Sequence, residues 1–332
     1  MLAHGSVALS QFAVVICAHD SRRWAHLQAA VGSVQRQTLR PHEIVVVVDG
    51  NDELFRYAAA ELDGVHVVKN HDQPGLGGAR NSGISASTSP LIAFLDDDAL
   101  ATDRWLELLS AAYADSDVAG VGGAIEPRWE RGRPAWFPPE FDWVVGCTYR
   151  GMPERTTEVR NLIGCNMSYR RDVLEALKGF RLGYGCDETE LCIRLRQRWP
   201  DKKLVYVPDA VASHHVPASR ATFGRFLSRC FFEGGSKAVV AHLVGRDRGL
   251  ASERAYALRT LPLAVSGGAN AFIRDGDRSG LPRAGAVVLG FLATAAGYLR
   301  GSFSVEESAQ RRGWVGGDGS TIRFRERGAA GS

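Results

Sequence analysis

The chain has 332 residues, 45% of them hydrophobic and 23% charged, enough for one large domain or about two ordinary ones around a sizeable core. Its 40 basic and 37 acidic residues leave a net charge of +3, which excludes nucleic-acid binding through bulk charge. The six cysteines (Cys17, Cys147, Cys165, Cys186, Cys192 and Cys230) form no C-x-x-C pair and no zinc-like spacing, and they read as reduced thiols of a cytoplasmic protein.

Residues 12–17 form the first apolar run, too short and without the basic flank of a signal peptide, and they are predicted as a strand buried on both faces. Residues 24–37 follow with helical spacing, with Leu27, Ala30, Val31 and Val34 on one side. A second buried strand is expected at 43–48, a helix at 54–62, a strand at 65–68, a helix from 78–85 and a fourth strand at 91–95. Continuous apolar strands alternating with helices imply a mostly parallel α/β sheet covered on both sides. Ligands of such sheets bind at the carboxyl ends of the strands. Residues 17–20, 49–52 and 96–98 are all such ends, so they are expected to converge on one cleft.

Asp96, Asp97 and Asp98 stand directly behind the fourth strand. Stacked carboxylates repel unless a cation sits among them. In an extended segment Asp96 and Asp98 face the same way, so a divalent ion such as Mg²⁺ or Mn²⁺ is the natural partner. A cap on the helix expected at 102–113 accounts for one aspartate but poorly for three. Asp49 ends the second strand and could accept hydrogen bonds from a ribose or base, or could simply make an Asp-Gly turn. Gly75-Leu-Gly-Gly-Ala-Arg-Asn81 lacks the third glycine of a dinucleotide fingerprint and does not follow the first strand. It could still bring Arg80 close to a diphosphate, or only begin a helix.

Beyond residue 100 the pattern loosens. Strands are expected at 118–125, 162–168 and 204–207, with a helix at 189–198; the Trp-, Pro- and Gly-rich stretch 128–153 is expected to be a substrate-facing loop. Asp187 and Glu188 precede the helix, either as caps or as a general base for an acceptor hydroxyl, while Glu190 and Arg194 can pair across one turn. His214 and His215 follow the last strand, and a neutral imidazole there could complete a carboxylate metal site. Arg220, Arg225, Arg229 and Lys237 punctuate an aromatic segment. They could neutralise a diphosphate or an anionic lipid headgroup, although a solvated basic face over an aromatic core gives the same pattern. The charge-free run 284–299 is shorter than the roughly 20 residues needed to span a bilayer, so a buried or interfacial helix is expected. A Gly- and Arg-rich tail closes the chain and is expected to be flexible.

Taken in order, several of these segments resemble family 2 glycosyltransferases, over about residues 12–240. They are the strand at 12–17, Ile44 to Asp49-Gly50, Gly78-Ala-Arg-Asn-Ser-Gly-Ile84, Ala93-Phe-Leu-Asp-Asp-Asp98, Gly164-Cys-Asn-Met-Ser-Tyr-Arg-Arg171, Gly179-Phe180, Asp187-Glu-Thr-Glu-Leu191 and His214. The resemblance implies a GT-A fold and an inverting, metal-assisted transfer from a nucleoside-diphosphate sugar, with a UDP-sugar the expected donor. It implies that Ala18 and Asp49 line the nucleoside pocket and that Asp96, with Asp97 beside it, lies near the nucleotide. Asp98 would ligate Mn²⁺ or Mg²⁺, with His214 supporting the site. The family's acidic pair, usually Glu-Asp, is inverted here to Asp187-Glu188; alignment to the helix puts Glu188 at the base position, with Asp187 in reserve. The Gln-x-x-Arg-Trp motif of processive members is missing around Arg229-Cys230, which favours transfer of a single sugar.

The expected layout is a catalytic unit over 1–220, with a nucleotide-sugar half to about residue 100 and an acceptor half after it, a helical extension over 221–305 and a tail over 306–332. The apolar stretches of the extension, with nearby arginines, suggest contact with the inner face of the cell membrane and a lipid-linked or cell-envelope glycan acceptor. Two other readings remain: a sugar nucleotidyltransferase, disfavoured because Ala18-His-Asp-Ser-Arg-Arg23 is no phosphate loop, and a catalytically silent sugar-nucleotide binder or membrane scaffold.

Overall fold

The computed structural model describes residues 11–181, 187–244 and 256–312. The first half alternates as its periodicity predicted: β1 (Phe12–Ala18), α1 (Trp24–Gln35), β2 (Glu43–Val48), α2 (Asp52–Glu61), β3 (His66–Lys69), α3 (Leu76–Ala86) and β4 (Leu91–Asp96). These four strands are parallel, in the order β3-β2-β1-β4. Alternate side chains of β1 and β2 enter separate cores: Val14, Ile16, Val46 and Val48 pack on one side of the sheet, and Val15, Val45 and Val47 on the other. A strand buried on both faces has no reason to alternate in hydropathy, hence the unbroken apolar runs.

The second half is mixed. β5 (Ala99–Ala101), α4 (Trp105–Ala112), β6 (Val118–Trp129), β7 (Thr157–Glu158), β8 (Asn166–Arg170), α5 (Arg171–Ala176), α6 (Asp187–Arg198) and β9 (Lys203–Val216) complete a nine-stranded sheet, in which β8 runs antiparallel to both β4 and β6. The strand expected at 162–168 begins only at Asn166, because the preceding residues make a turn closed by the Asn166 N–H on Ile163 O. Asn166 is fully buried, and its amide accepts from Trp105 Nε1 (2.7 Å) and donates to Ala124 O and Ala210 O (both 2.8 Å), tying three elements together.

β9 is longer than expected and runs straight past Pro208. Its pairing with β6 shifts register between Gly123 and Ile125, so the proline falls where the ladder is already interrupted. Gly123 makes the close approach possible: a Cβ there would stand 1.8 Å from Ala210 O.

After β9 the chain forms α7 (Phe223–Val244), a short π-type turn (Tyr256–Thr260), α8 (Leu261–Asp275) and α9 (Gly280–Arg312). α7 and α9 cross backbone against backbone: a Cβ on Gly234 would lie 2.0 Å from Thr294 O, and one on Gly297 1.8 Å from Phe231 O. α9 corrects two expectations. It continues through residues 306–312, where a flexible tail was expected, and 313–332 lie outside the described residues. Its apolar character extends over Gly280–Phe303, 24 residues, because Arg283 and Arg300 bound the charge-free run without ending the helix. By length and composition that stretch could cross a membrane, and only 28% of its most apolar window is buried in the protein. Leu263, Ile273, Leu292 and Leu299 of α8 and α9 are exposed.

The five described cysteines are free thiols, and burial pushes Cys17 and Cys230 up to about 12. Cys186 lies outside the described residues.

Candidate active site

The parallel register brings the three strand ends together, with Ala18 beside Val48 and Cys17 beside Asp96. Asp96 is the last residue of β4, and Asp97 and Asp98 turn the chain into β5. The triplet is therefore a turn and not the extended segment expected from sequence. Asp96 and Asp98 nonetheless converge, and His214 joins them through the pairing of β5 with β9, which sets Ala99 opposite His214. Potential ligand atoms of Asp96, Asp98 and His214 all lie within 4.8 Å of one another. His214 Nε2 is 3.2 Å from Asp98 Oδ1, and the His215 N–H donates to Asp98 O (2.9 Å). Burial holds the His214 pKa below its usual value, which keeps the imidazole neutral and its lone pair available. Two carboxylates and a neutral imidazole suit Mn²⁺ or Mg²⁺. His215 is turned elsewhere, its ring 4.3 Å from that of His26.

One residue of this cluster was not anticipated. Arg23, at the end of the 3-10 turn after β1, pairs with Asp97 Oδ1 at 2.7 Å and with Asp98 Oδ2. Burial raises the Asp97 pKa, against the pull of Arg23. Asp97 thus faces an arginine and does not line the cavity described below. In the sequence Arg23 was visible only as part of a segment unlike a phosphate loop.

Ala18 is buried at the end of β1, and Asp49 follows β2. Both carboxylate oxygens of Asp49 already accept hydrogen bonds, from Asn70 Nδ2 (2.7 Å) and from the Gly75 N–H (2.7 Å), so Asp49 fastens the loop that leads into α3. Arg80 on α3 is almost wholly buried. Its Nη2 donates to Gly164 O (3.0 Å) and lies 3.8 Å from Asp96 Oδ1, and its guanidinium rests over the Phe180 ring. It is a rigid cation at the edge of the acidic turn.

Asp187 and Glu188 occupy the first turn of α6, directly after residues 182–186, which lie outside the described residues. Glu190 is committed elsewhere: both its oxygens accept from Arg194 Nε, at 2.7 and 2.8 Å, as the i, i+4 spacing predicted. Glu188 instead lines the cavity. Burial raises its pKa, Arg80 opposes the shift, and Glu233 and Asp187 add to it.

The cavity measures about 1180 Å³, and its wall brings Arg80, Asp96, Glu188 and His214 together with Arg220, Arg225, Arg229 and Lys237. The basic row is therefore more than a solvated face. α7 buries Phe226 among Trp136, Phe137 and Phe141 and turns its cations to the cavity. The irregular stretch 128–153 contributes Trp143, Val145 and Tyr149 to the same wall.

The model of Glycosyl transferase family 2 matches residues 13–178. A glucosyl-dolichyl phosphate glucuronosyltransferase of Haloferax volcanii is 34% identical over 239 residues, 68% of this chain and 76% of the relative. The chain belongs to the family 2 glycosyltransferases. A pre-mycofactocin glycosyltransferase of Mycobacterium tuberculosis is 28% identical over 77% of this glycosyltransferase, which spans 52% of that relative's length. Among solved structures, a mannosyltransferase of Pyrobaculum calidifontis, determined with GDP-Man and Mn²⁺, superposes with a TM-score of 0.53 at 16% identity, covering 86% of each chain. That likeness places the glycosyltransferase in the GT-A fold.

Proposed function

We propose that this glycosyltransferase moves a single sugar, with inversion, from a nucleoside-diphosphate sugar to a hydroxyl of a lipid-linked glycan at a membrane surface. The observation that carries the reading is that Asp96 and His214, two members of the metal-competent Asp96–Asp98–His214 cluster, share the wall of one cavity with a raised-pKa Glu188. Asp96, Asp98 and His214 would hold Mn²⁺ or Mg²⁺, and the ion would supply positive charge to the departing diphosphate. Arg80 and Arg220, already cationic on the cavity wall, stabilise the same developing charge. Ala18 and Asp49 stand at the strand ends on the nucleoside side, Asp49 holding the loop against which the base would rest.

Glu188 is the general base. It accepts the proton of the acceptor hydroxyl as that oxygen attacks the anomeric carbon opposite the leaving group, which gives inversion. Asp187 beside it keeps the helix start negative and raises the proton affinity of Glu188. The lipid-linked acceptor is supported by the Haloferax relative, whose name carries a sugar on dolichyl phosphate, and by the exposed apolar side chains of α8 and α9 beside the cavity.

A panel of UDP- and GDP-sugars, assayed for nucleoside diphosphate release with Mn²⁺ and with EDTA, tests the core of this reading. Release that depends on Mn²⁺ and rises with a lipid glycoside is expected. Turnover untouched by EDTA would contradict metal assistance, and an α-configured product from an α-configured donor would contradict inversion.

A further inference from the structure

Helix α9 has two apolar sides with different surroundings. Gly290, Gly297 and Gly301, spaced by seven and four residues, face α7 and let the two backbones approach. A Cβ on Gly290 would stand 2.8 Å from Phe226 Cζ, and one on Gly301 2.9 Å from Ala238 Cβ. Leu281, Val288, Leu292, Leu299 and Phe303 repeat with the same steps of seven and four on the other side, and they are 45–66% exposed. Gly285 and Ala296 fall on this side too and are exposed. At about 1.5 Å per residue the stripe from Leu281 to Phe303 runs about 33 Å with no charged side chain along it, Arg300 standing at its edge.

Length and composition alone would let Gly280–Phe303 cross a bilayer. Packing argues against a crossing. The glycine contacts fix α9 to α7 from Phe226 to Ala238, so α7 would have to enter the hydrocarbon alongside it. Over that stretch α7 carries Arg229 and Glu233, with Arg225 just before it, and charged side chains at such depth are costly. The turn between α8 and α9 adds Arg274, Asp275, Asp277 and Arg278 at one end of the stripe. A helix fixed on one side to a charged partner and open on the other is suited to lie flat in a bilayer surface, with only its open side in the acyl region. Charge selects the lipid. Residues 256–303 hold five arginines and two aspartates, an excess that attracts anionic headgroups and opposes pairing with a second copy of the same helices.

We infer that α9 is an in-plane membrane anchor, whose stripe from Leu281 to Phe303 sinks along its whole length into one leaflet of an anionic bilayer. This rests on the membrane-surface position proposed above and adds to it the lipid partner and the orientation of the helix. The charged side of α7 stays outside the hydrocarbon, and the sheet stands on the water side.

The test places one nitroxide label at a time, through Leu281→Cys, Leu292→Cys or Phe303→Cys, in the full chain carrying Cys17→Ser and Cys186→Ser; the other four native thiols are buried. The three labelled positions are exposed, so thermal melting should match that of the unlabelled chain. On phosphatidylglycerol vesicles all three labels should report depths within about 5 Å of one another, about 5–10 Å below the headgroups. A label at 292 lying about 15 Å deeper than those at 281 and 303 would make α9 a span, and would overturn the in-plane anchor while leaving the membrane position intact. Labels that stay in water without vesicle binding would overturn both, and a doubled mass in that case would assign the stripe to a second copy. Replacing phosphatidylglycerol with phosphatidylcholine should weaken binding at least about tenfold, as the excess of arginine requires, and equal binding would overturn the choice of an anionic surface. Transfer to a lipid glycoside is read separately: its failure, with the three depths as expected, would remove the proposed acceptor and leave the anchor standing.

Discussion

Strand β2 hides its side chains from Ile44 to Val48 between two layers, whereas α9 turns Leu289, Leu292 and Leu299 outward along its length. The sheet excludes water with packed hydrocarbon and holds its few buried polar groups by multiple bonds, as Asn166 shows. The C-terminal helices approach one another through glycine backbones and leave much of their large apolar surface uncovered. The cavity lies where these two regions meet: the sheet supplies fixed charges, and the helices supply cations and exposed apolar side chains. In the proposed reaction the rigid side would hold the reacting atoms, and the open apolar flank would suit a ligand that stays partly in a membrane.

The largest expected effect breaks the sheet side of this contrast. Asp98→Asn should cut transfer about a thousandfold and weaken Mn²⁺ binding, followed by electron paramagnetic resonance at fixed nucleotide; unaltered Mn²⁺ affinity would remove Asp98 as a ligand. Next, Asn166→Ala should cost about 3 kcal/mol in chemical denaturation, since it strands the Trp105 N–H and two carbonyls in the core. On the helical side, Gly297→Val drives a side chain into Phe231 O and should cost about 1–3 kcal/mol by the same measurement. A loss equal to that of an exposed substitution would mean that the α7–α9 crossing is loose.

The pH profile is a finer probe. Glu188 must be ionised to accept a proton, and burial raises its pKa. Activity should therefore fall, as pH is lowered, at a pH above the ordinary glutamate value of about 4.3. Arg80 opposes the shift, so Arg80→Met should move this acid limb further up; a downward move would contradict the assignment. The smallest effect concerns the open flank. Leu292→Asn with Leu299→Asn should leave stability within about 0.5 kcal/mol, yet lower co-sedimentation with lipid vesicles. Unchanged sedimentation would leave the helices without a membrane role.

Much of the sheet side is legible in the sequence. Parallel strands buried on both faces leave uninterrupted apolar runs, and their carboxyl ends announce themselves as Asp49 and Asp96–Asp98. His214 stands just after the strand expected at 204–207; in the structure it lies within β9, and the pairing of β9 with β5 carries it to the acidic turn. Other features could not be read. Arg23 resembles any surface arginine in a short turn, and only the fold carries it to Asp97 and Asp98. The continuation of β9 past Pro208 depends on a register shift opposite Gly123, a property of the pair of strands and not of either sequence. The direction of the α7 cations was ambiguous because one amphipathic pattern serves water and cavity alike. The extent of α9 was hidden by Arg283 and Arg300, which interrupt an apolar run without interrupting a helix.

In the proposed mechanism Glu188 takes the acceptor proton beside a donor held by the acidic turn. The most direct measurement compares Glu188→Gln with wild type for both transfer rate and nucleoside diphosphate affinity in Mn²⁺. The account predicts a fall in kcat of at least about a hundredfold with nucleotide affinity unchanged. Transfer retained in Glu188→Gln, with the loss appearing in Asp187→Asn instead, would contradict it.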